Sequence, residues 1–145
     1  MNKTKDKTIL ITGGTGFLGR HLALQLKKDN TVIIAGRNNK QNAIASKITG
    51  CQSAPLDIVN IESVRDIFTE FKPDIVIHAA ATKFVDLAEK YPMECVDVNV
   101  LGSQNICRVA TEKEVEIVIG GDGYLPSGHI RSRYLRDCWQ LIFHS

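Results

Sequence analysis

No run of apolar residues in this 145-residue chain approaches the ~20 needed to cross a bilayer. The apolar stretch after Lys3, Lys5 and Lys7 is too short for the core of a secretory signal. The sequence therefore predicts no membrane partner, with the cytoplasm as the default location. Four cysteines are present, but not at paired spacing. Cys51, Cys95, Cys107 and Cys138 form no C-x-x-C pair and are not interleaved with histidines at ligand spacing, which argues against a disulfide framework and against a metal site. They are expected as reduced, mostly buried thiols. The net charge of +2 is small and predicts neither nucleic acid nor an acidic partner. There is no internal repeat, no low-complexity segment and no linker, and the length leaves room for one domain with a substantial core.

What the chain does contain is concentrated near its start. Residues 8–12, Thr-Ile-Leu-Ile-Thr, have the composition of a buried parallel strand. Gly13, Gly16 and Gly19 follow at the spacing G-x-x-G-x-x-G. In a strand-turn-helix setting each glycine has a use. Gly13 permits the tight turn, Gly16 removes a Cβ that would hold the backbone off a pyrophosphate, and Gly19 lets the next helix pack closely. Leu18, Leu22 and Leu26 give that helix an apolar face, and its free N–H groups and dipole would meet an anion.

The rest of the chain alternates strands and helices. Residues 31–35 read as a second buried strand, and Gly36-Arg37-Asn38 follows it with no acidic residue. An acid at that place bonds the ribose 2′-hydroxyl of NAD, whereas an arginine accommodates the 2′-phosphate of NADP. Arg37 thus favours NADP with NAD as the lesser option, unless it is only a solvated loop charge. Residues 38–49 read as a short helix with Ile44 and Ile48 four apart and Gly50 as its left-handed cap. Residues 51–56 form a weak third strand, which Pro55 confines to a strand end or an edge. Asp57 follows, as an adenine neighbour or as a turn residue. Asn60 starts a helix with Ile61, Val64, Ile67, Phe68 and Phe71 on one face; residues 75–78 form a fourth strand running into Ala79, Ala80 and Ala81. Three small residues there let a ribose and nicotinamide press against the backbone, or let a helix pack on the sheet. A long helix is expected from Pro92 to about Glu112 with Val96, Val100 and Cys107 inward, then a fifth strand at 115–119. The alternation predicts an α/β fold with a parallel, doubly wound sheet.

Together these residues support a resemblance. Thr12-Gly-Gly-Thr-Gly-Phe-Leu-Gly19, Arg37, Leu56-Asp57-Ile58, His78-Ala-Ala-Ala81 with Lys83, and Asp97-Val-Asn-Val-Leu-Gly-Ser103 resemble an extended short-chain dehydrogenase/reductase. More narrowly, they resemble the polysaccharide-biosynthesis dehydratases of the UDP-N-acetylglucosamine 4,6-dehydratase type. The resemblance covers residues 7–119. It implies a Rossmann-like, truncated sheet of strand order 3-2-1-4-5, with residues 1–119 as the NAD(P)-binding domain and 120–145 as an atypical tail.

The resemblance also implies roles. Gly13, Thr15, Gly16, Phe17, Leu18 and Gly19 would hold the pyrophosphate and Arg37 the 2′-phosphate. Asp57 and Ile58 would flank the adenine, and Ala79, Ala80 and Ala81 the ribose. Lys83 would lie near the nicotinamide and the substrate unless it is merely solvated. Asn99 would shape the active site from its helix unless it is simply a polar helix residue. The implied substrate is a nucleotide sugar such as UDP-N-acetylglucosamine.

The family's chemistry uses a tyrosine with a lysine four residues later, which takes the sugar 4-hydroxyl proton while hydride passes to NADP. This chain departs from that pattern. Tyr124 is followed by Gly128 and Tyr134 by Cys138, and Asp122 lacks an adjacent lysine. No catalytic residue is therefore assigned. A shift of reading frame after Ile119 would account for the abrupt change. Arg131, Arg133 and Arg136 with Trp139, Leu141, Ile142 and Phe143 predict a short amphipathic helix or no order. A truncated sheet also predicts association into homo-oligomers, or low solubility. Two functions remain open at this stage: the cofactor half of a dehydratase or epimerase, or a non-catalytic dinucleotide-binding sensor, partner-binding module or remnant.

Overall fold

The computed structural model describes residues 4–80, 85–119 and 132–134. In chain order the elements are β1 (Thr8–Thr12), α1 (Phe17–Leu26), β2 (Thr31–Gly36), α2 (Asn39–Thr49), β3 (Gln52–Pro55) and α3 (Ile61–Phe71). They continue with β4 (Ile75–His78), α4 (Val85–Lys90), α5 (Pro92–Val96), a π-helical turn (Asp97–Gly102), α6 (Ser103–Glu112), β5 (Glu116–Ile119) and β6 (Ser132–Tyr134). The sheet is parallel throughout and runs β3-β2-β1-β4-β5, the order expected from the resemblance, with β6 continuing it beside β5. A strand at 132–134 was not foreseen. The outer edge of β5 carries N–H and C=O groups that a further strand satisfies, and that is the pairing adopted.

Successive residues of the central strands feed opposite cores. Leu10, Ile33 and Val76 point to the face covered by Val64, Ile67 and Phe68 of α3 and Ile106 and Val109 of α6. Ile9, Ile11, Ile34 and Ile77 point to the face covered by Leu22 and Ala23 of α1 and Ala45 of α2. That is why 8–12 and 31–35 read as continuous β-branched runs: both sides are buried. Gly50 ends α2 in the left-handed conformation at φ 69°, and Asn60 caps α3 by accepting from the Glu62 and Ser63 N–H groups.

One helical face is set by polar contacts, and another differs from the expectation. In α2 the buried residues are Asn42, Ala45 and Thr49, while Ile44 and Ile48 are about half exposed. The reason is polar. Asn42 Nδ2 donates to the carbonyls of Gly36 and Ala54, tying the helix to the ends of β2 and β3 by its amide face. In the long helix Cys107 packs half-buried against the core as expected, but Val96 and Val100 are exposed at 50% and 62%, and Gly102, Asn105, Ile106, Val109 and Ala110 are buried. The π turn at 97–102 breaks the α period, so a single 3.6-residue pattern cannot be carried across it.

Helix α1 rests directly on the glycine turn. A Cβ added at Gly19 would meet the Gly13 carbonyl oxygen at 2.4 Å and Gly14 Cα at 2.6 Å, and both are backbone atoms with little freedom to retreat. Gly19→Ala is therefore expected to destabilise the fold by about 1–3 kcal/mol, measured as a lowered urea midpoint with an unchanged slope.

Candidate functional site

The carboxyl ends of the three central strands stop level with one another, since Thr12 pairs with Ala35 on one side and His78 on the other. Past those ends the chain must turn, and β1 does so through Gly13 at φ +69°. A Cβ there would sit 2.7 Å from the Ala80 nitrogen, so the turn lies against the backbone that leaves β4. The result is a cleft of about 410 Å³ above the sheet. It is lined by Thr12, Gly13, Thr15, Gly16 and Phe17, by Ala35, Gly36 and Arg37, by Leu56, Asp57 and Ile58, by Ala79 and Ala80, and by Val98 of the π turn.

Of the residues singled out in the sequence, nine line this cleft: Gly13, Thr15, Gly16, Phe17, Arg37, Asp57, Ile58, Ala79 and Ala80. Leu18 and Gly19 lie in the first turn of α1, behind the lining. Asn99 neighbours Val98 in the π turn, and its Nδ2 donates to Cys95 Sγ at 3.3 Å. Ala81 and Lys83 fall outside the described residues, as do the tail residues beyond 134. Thr12, Ala35, Gly36, Leu56 and Val98 were not anticipated. Each is an apolar or small residue at a strand end or helix turn, and only the tertiary register marks it as lining.

The charge pattern of the cleft is simple. Helix α1 begins at Gly16 with no side-chain cap, whereas Asn38 and Asn60 cap α2 and α3, so the N-terminal N–H groups of α1 point their partial positive charge at the cleft. Arg37 stands at its rim, and Nη1 lies 3.5 Å from Glu94 Oε1 of α5, both side chains being more than half exposed. Asp57 accepts from the Val59 N–H at 3.1 Å, and its own N–H donates to Ser63 Oγ. It is therefore the turn residue foreseen as one alternative, and it also lines the cleft. Phe17 is 73% exposed and its ring packs on His21 at 4.3 Å.

Below the cleft floor, His78 is 3% exposed. Its Nδ1 lies 2.6 Å from Thr12 Oγ1 and its Nε2 lies 2.9 Å from Ser103 Oγ. Burial alone holds its pKa down from 6.5 to about 4, so the ring is neutral at physiological pH. From the same helix α6 that carries Ser103, Asn105 Nδ2 donates to the carbonyls of Ile58 and Val59, anchoring α6 to the loop that carries Asp57 and Ile58.

Comparison with known proteins is consistent with this architecture. The model of the polysaccharide biosynthesis protein family matches residues 9–121, and the chain belongs to that family. It is 37% identical, over 79% of its length, to a Methanocaldococcus jannaschii protein described as an uncharacterized membrane protein, of which it covers 35%. It is 40% identical, over 76% of its length, to an inverting UDP-N-acetylglucosamine 4,6-dehydratase of Campylobacter jejuni, of which it covers 34%. The chain thus spans about a third of the length of the curated relatives it matches. Among solved structures, the Thermus thermophilus UDP-glucose 4-epimerase in complex with NAD superposes with a TM-score of 0.70 at 27% identity, over 83% of this chain and 41% of that one. Among the described residues, no helix is long and apolar enough to cross a membrane.

The buried imidazole makes stability depend on pH. Unfolded, His78 binds a proton below pH ~6.5, whereas folded it resists protonation down to about 4. Its contribution is therefore complete above pH ~6.5 and is lost as pH falls toward 4. Urea unfolding at about pH 7.5 and about pH 5 is expected to differ by roughly 2 kcal/mol, a difference that His78→Gln should largely abolish.

Proposed function

We propose that residues 1–119 are the dinucleotide-binding part of a nucleotide-sugar dehydratase or epimerase of polysaccharide biosynthesis. NADP is preferred to NAD, and a UDP-sugar such as UDP-N-acetylglucosamine is the substrate class. One observation carries this reading. At Gly16 a Cβ would come no closer than 3.4 Å to any other part of the protein, and the backbone there is ordinary at φ −77° and ψ 173°. The fold itself makes no demand for glycine at that position, yet the residue lines the cleft at the uncapped start of α1. A bare backbone at a helix N-terminus fits a diphosphate, which needs close approach and N–H donors.

The remaining walls agree with that ligand. Gly13, Thr15, Phe17 and the N–H groups of Leu18 and Gly19 would surround the pyrophosphate. Arg37 would meet the 2′-phosphate, Asp57 and Ile58 the adenine, and Ala79, Ala80 and Ala81 the ribose, with Lys83 and Asn99 toward the nicotinamide and substrate. When bound, the nicotinamide would supply hydride acceptance and return. Glu94 now holds Arg37, so a 2′-phosphate competes with that carboxylate, a contest worth about 0–1 kcal/mol at an exposed pair.

A second reading, a non-catalytic dinucleotide-binding module, is favoured by one sequence feature. None of the three tyrosines is followed four residues later by lysine: Tyr91, Tyr124 and Tyr134 are followed by Cys95, Gly128 and Cys138. Without that pair no group is assigned to take the sugar hydroxyl proton. The chain alone is expected to bind NADP and to leave UDP-N-acetylglucosamine unchanged. Formation of a 4-keto-6-deoxy sugar by the purified chain would overturn the non-catalytic reading.

Isothermal titration with NADP and NAD tests the binding site. NADP at about 100 times its dissociation constant should stabilise the fold by about 2.7 kcal/mol, and failure of both dinucleotides to raise the melting temperature would remove the proposal. Gly16→Ala is expected to cost under about 1 kcal/mol of stability while weakening NADP binding at least tenfold. In the same titration, Arg37→Ala should abolish the preference for NADP, and Glu94→Gln should strengthen NADP binding severalfold without changing that of NAD.

A further inference from the structure

The hydrogen bonds around His78 allow only one placement of their protons. The Ser103 hydroxyl has a single proton, and it goes to the Asn99 carbonyl oxygen at 2.7 Å. At 2.9 Å from His78 Nε2, Ser103 Oγ can then act only as an acceptor, so the imidazole proton sits on Nε2. A neutral ring has no second proton. Its Nδ1 is therefore an acceptor, and the group 2.6 Å away, Thr12 Oγ1, must donate to it. The lone pairs left on Thr12 face the Ala80 N–H at 3.4 Å. The whole chain runs one way: Ala80 N–H to Thr12, Thr12 to His78, His78 to Ser103, and Ser103 to the Asn99 carbonyl.

The ends of this chain are the point. Ala80 lines the cleft on the β4 side, and Asn99 stands next to Val98, the π-turn residue that lines it from above. These two walls are joined through a buried ring. The π turn is also where backbone carbonyls lose the regular α-helical pairing, so a hydroxyl that fixes the Asn99 carbonyl fixes the turn.

We propose that His78 is a positioning residue for the dinucleotide site, its Nε2–H tautomer locking the Ala79–Ala80 wall to the π turn through Thr12 and Ser103 and so setting the shape of the β4 end of the cleft. This rests on the dinucleotide reading given above. The β2 end, with Arg37, lies on the far side of β1 and is outside the lock. Only a protonated ring would break the direction of the chain, since Nδ1 would then face the Thr12 hydroxyl as a second donor. Burial opposes that state.

The test separates the two ends of the cleft with two probes on the full chain, NADPH and adenosine 2′,5′-bisphosphate, the latter reaching only the adenosine side. Ser103→Ala removes the link to the π turn and is expected to weaken NADPH binding about tenfold while leaving adenosine 2′,5′-bisphosphate within twofold. Ser103→Thr keeps the hydroxyl and should restore NADPH binding. Long-range ¹H–¹⁵N correlation of the histidine side chains should find His78 with its proton on Nε2 at neutral pH. The proposal is overturned if Ser103→Ala weakens both probes equally or neither, or if His78 carries its proton on Nδ1. If the wild-type chain binds neither probe, the dinucleotide reading itself fails, an outcome distinct from a wild type that binds both and a Ser103→Ala variant that matches it.

Discussion

At Gly13 the backbone leaving β1 lies so close to the backbone leaving β4 that a methyl group would come within 2.7 Å of the Ala80 nitrogen and 2.8 Å of the Ala79 carbonyl carbon. The strand order explains why that contact matters. The chain builds β1, β2 and β3 outward in one direction, then returns to place β4 on the other side of β1. The loops after β1 and β4 consequently diverge above the sheet, and the opening between them is where ligands of such sheets bind. A residue with a Cβ at position 13 would push the two walls apart at their base. The positive φ of that residue and the absence of its side chain are thus one constraint on both the turn and the cleft.

The precision of that opening depends on the sheet beneath it. Ile9, Leu10, Ile11, Ile33, Ile34 and Val76 are all essentially inaccessible, each contributing on the order of 1.5–3 kcal/mol by leaving water. Apolar burial alone leaves side chains free to exchange for others of like volume. Polar side chains supply the fixed points at the cleft end: Asn42 between the ends of β2 and β3, Asn105 under the loop at 58–59, and His78 between Thr12 and Ser103. A buried polar group is stable only with its partners in place, so each one specifies a geometry as well as a neighbour.

How much of this could be read from the residues follows from the range of the interactions. The strands, the glycine turn, the Gly50 cap and the Asn60 cap are local, and composition and spacing reveal them. The inward face of α2 is not local, because it depends on an asparagine finding carbonyls of β2 and β3. The face of the long helix was misread because a π turn leaves no plain mark in a sequence of valines and leucines. Lining residues such as Val98 and Leu56, and the pairing of Arg37 with Glu94, belong to elements brought together only by folding. A hint was nevertheless present in Thr12 and His78, polar residues at the ends of two apolar strands. Once those strands are placed side by side, each is the other's nearest polar neighbour.

The cleft is lined partly by backbone and small side chains, at Gly13, Gly16, Gly36, Ala35, Ala79 and Ala80, and partly by the larger Phe17, Arg37, Leu56, Asp57, Ile58 and Val98. The chain resembles a protein described as a dehydratase and, at lower identity, one described as an epimerase, and it spans 34% of the first and 41% of the second. The charged side chains of the cleft are Arg37, which pairs with Glu94 of α5, and Asp57, with Val98 of the π turn also in the lining. On the dinucleotide reading proposed above, Arg37, Glu94 and Asp57 would bear on which dinucleotide is held, and the π turn on what its reactive end would face. On that reading, the residues that select a reaction would lie beyond the π turn, and the sheet with its glycine turn would hold the cofactor alike for either.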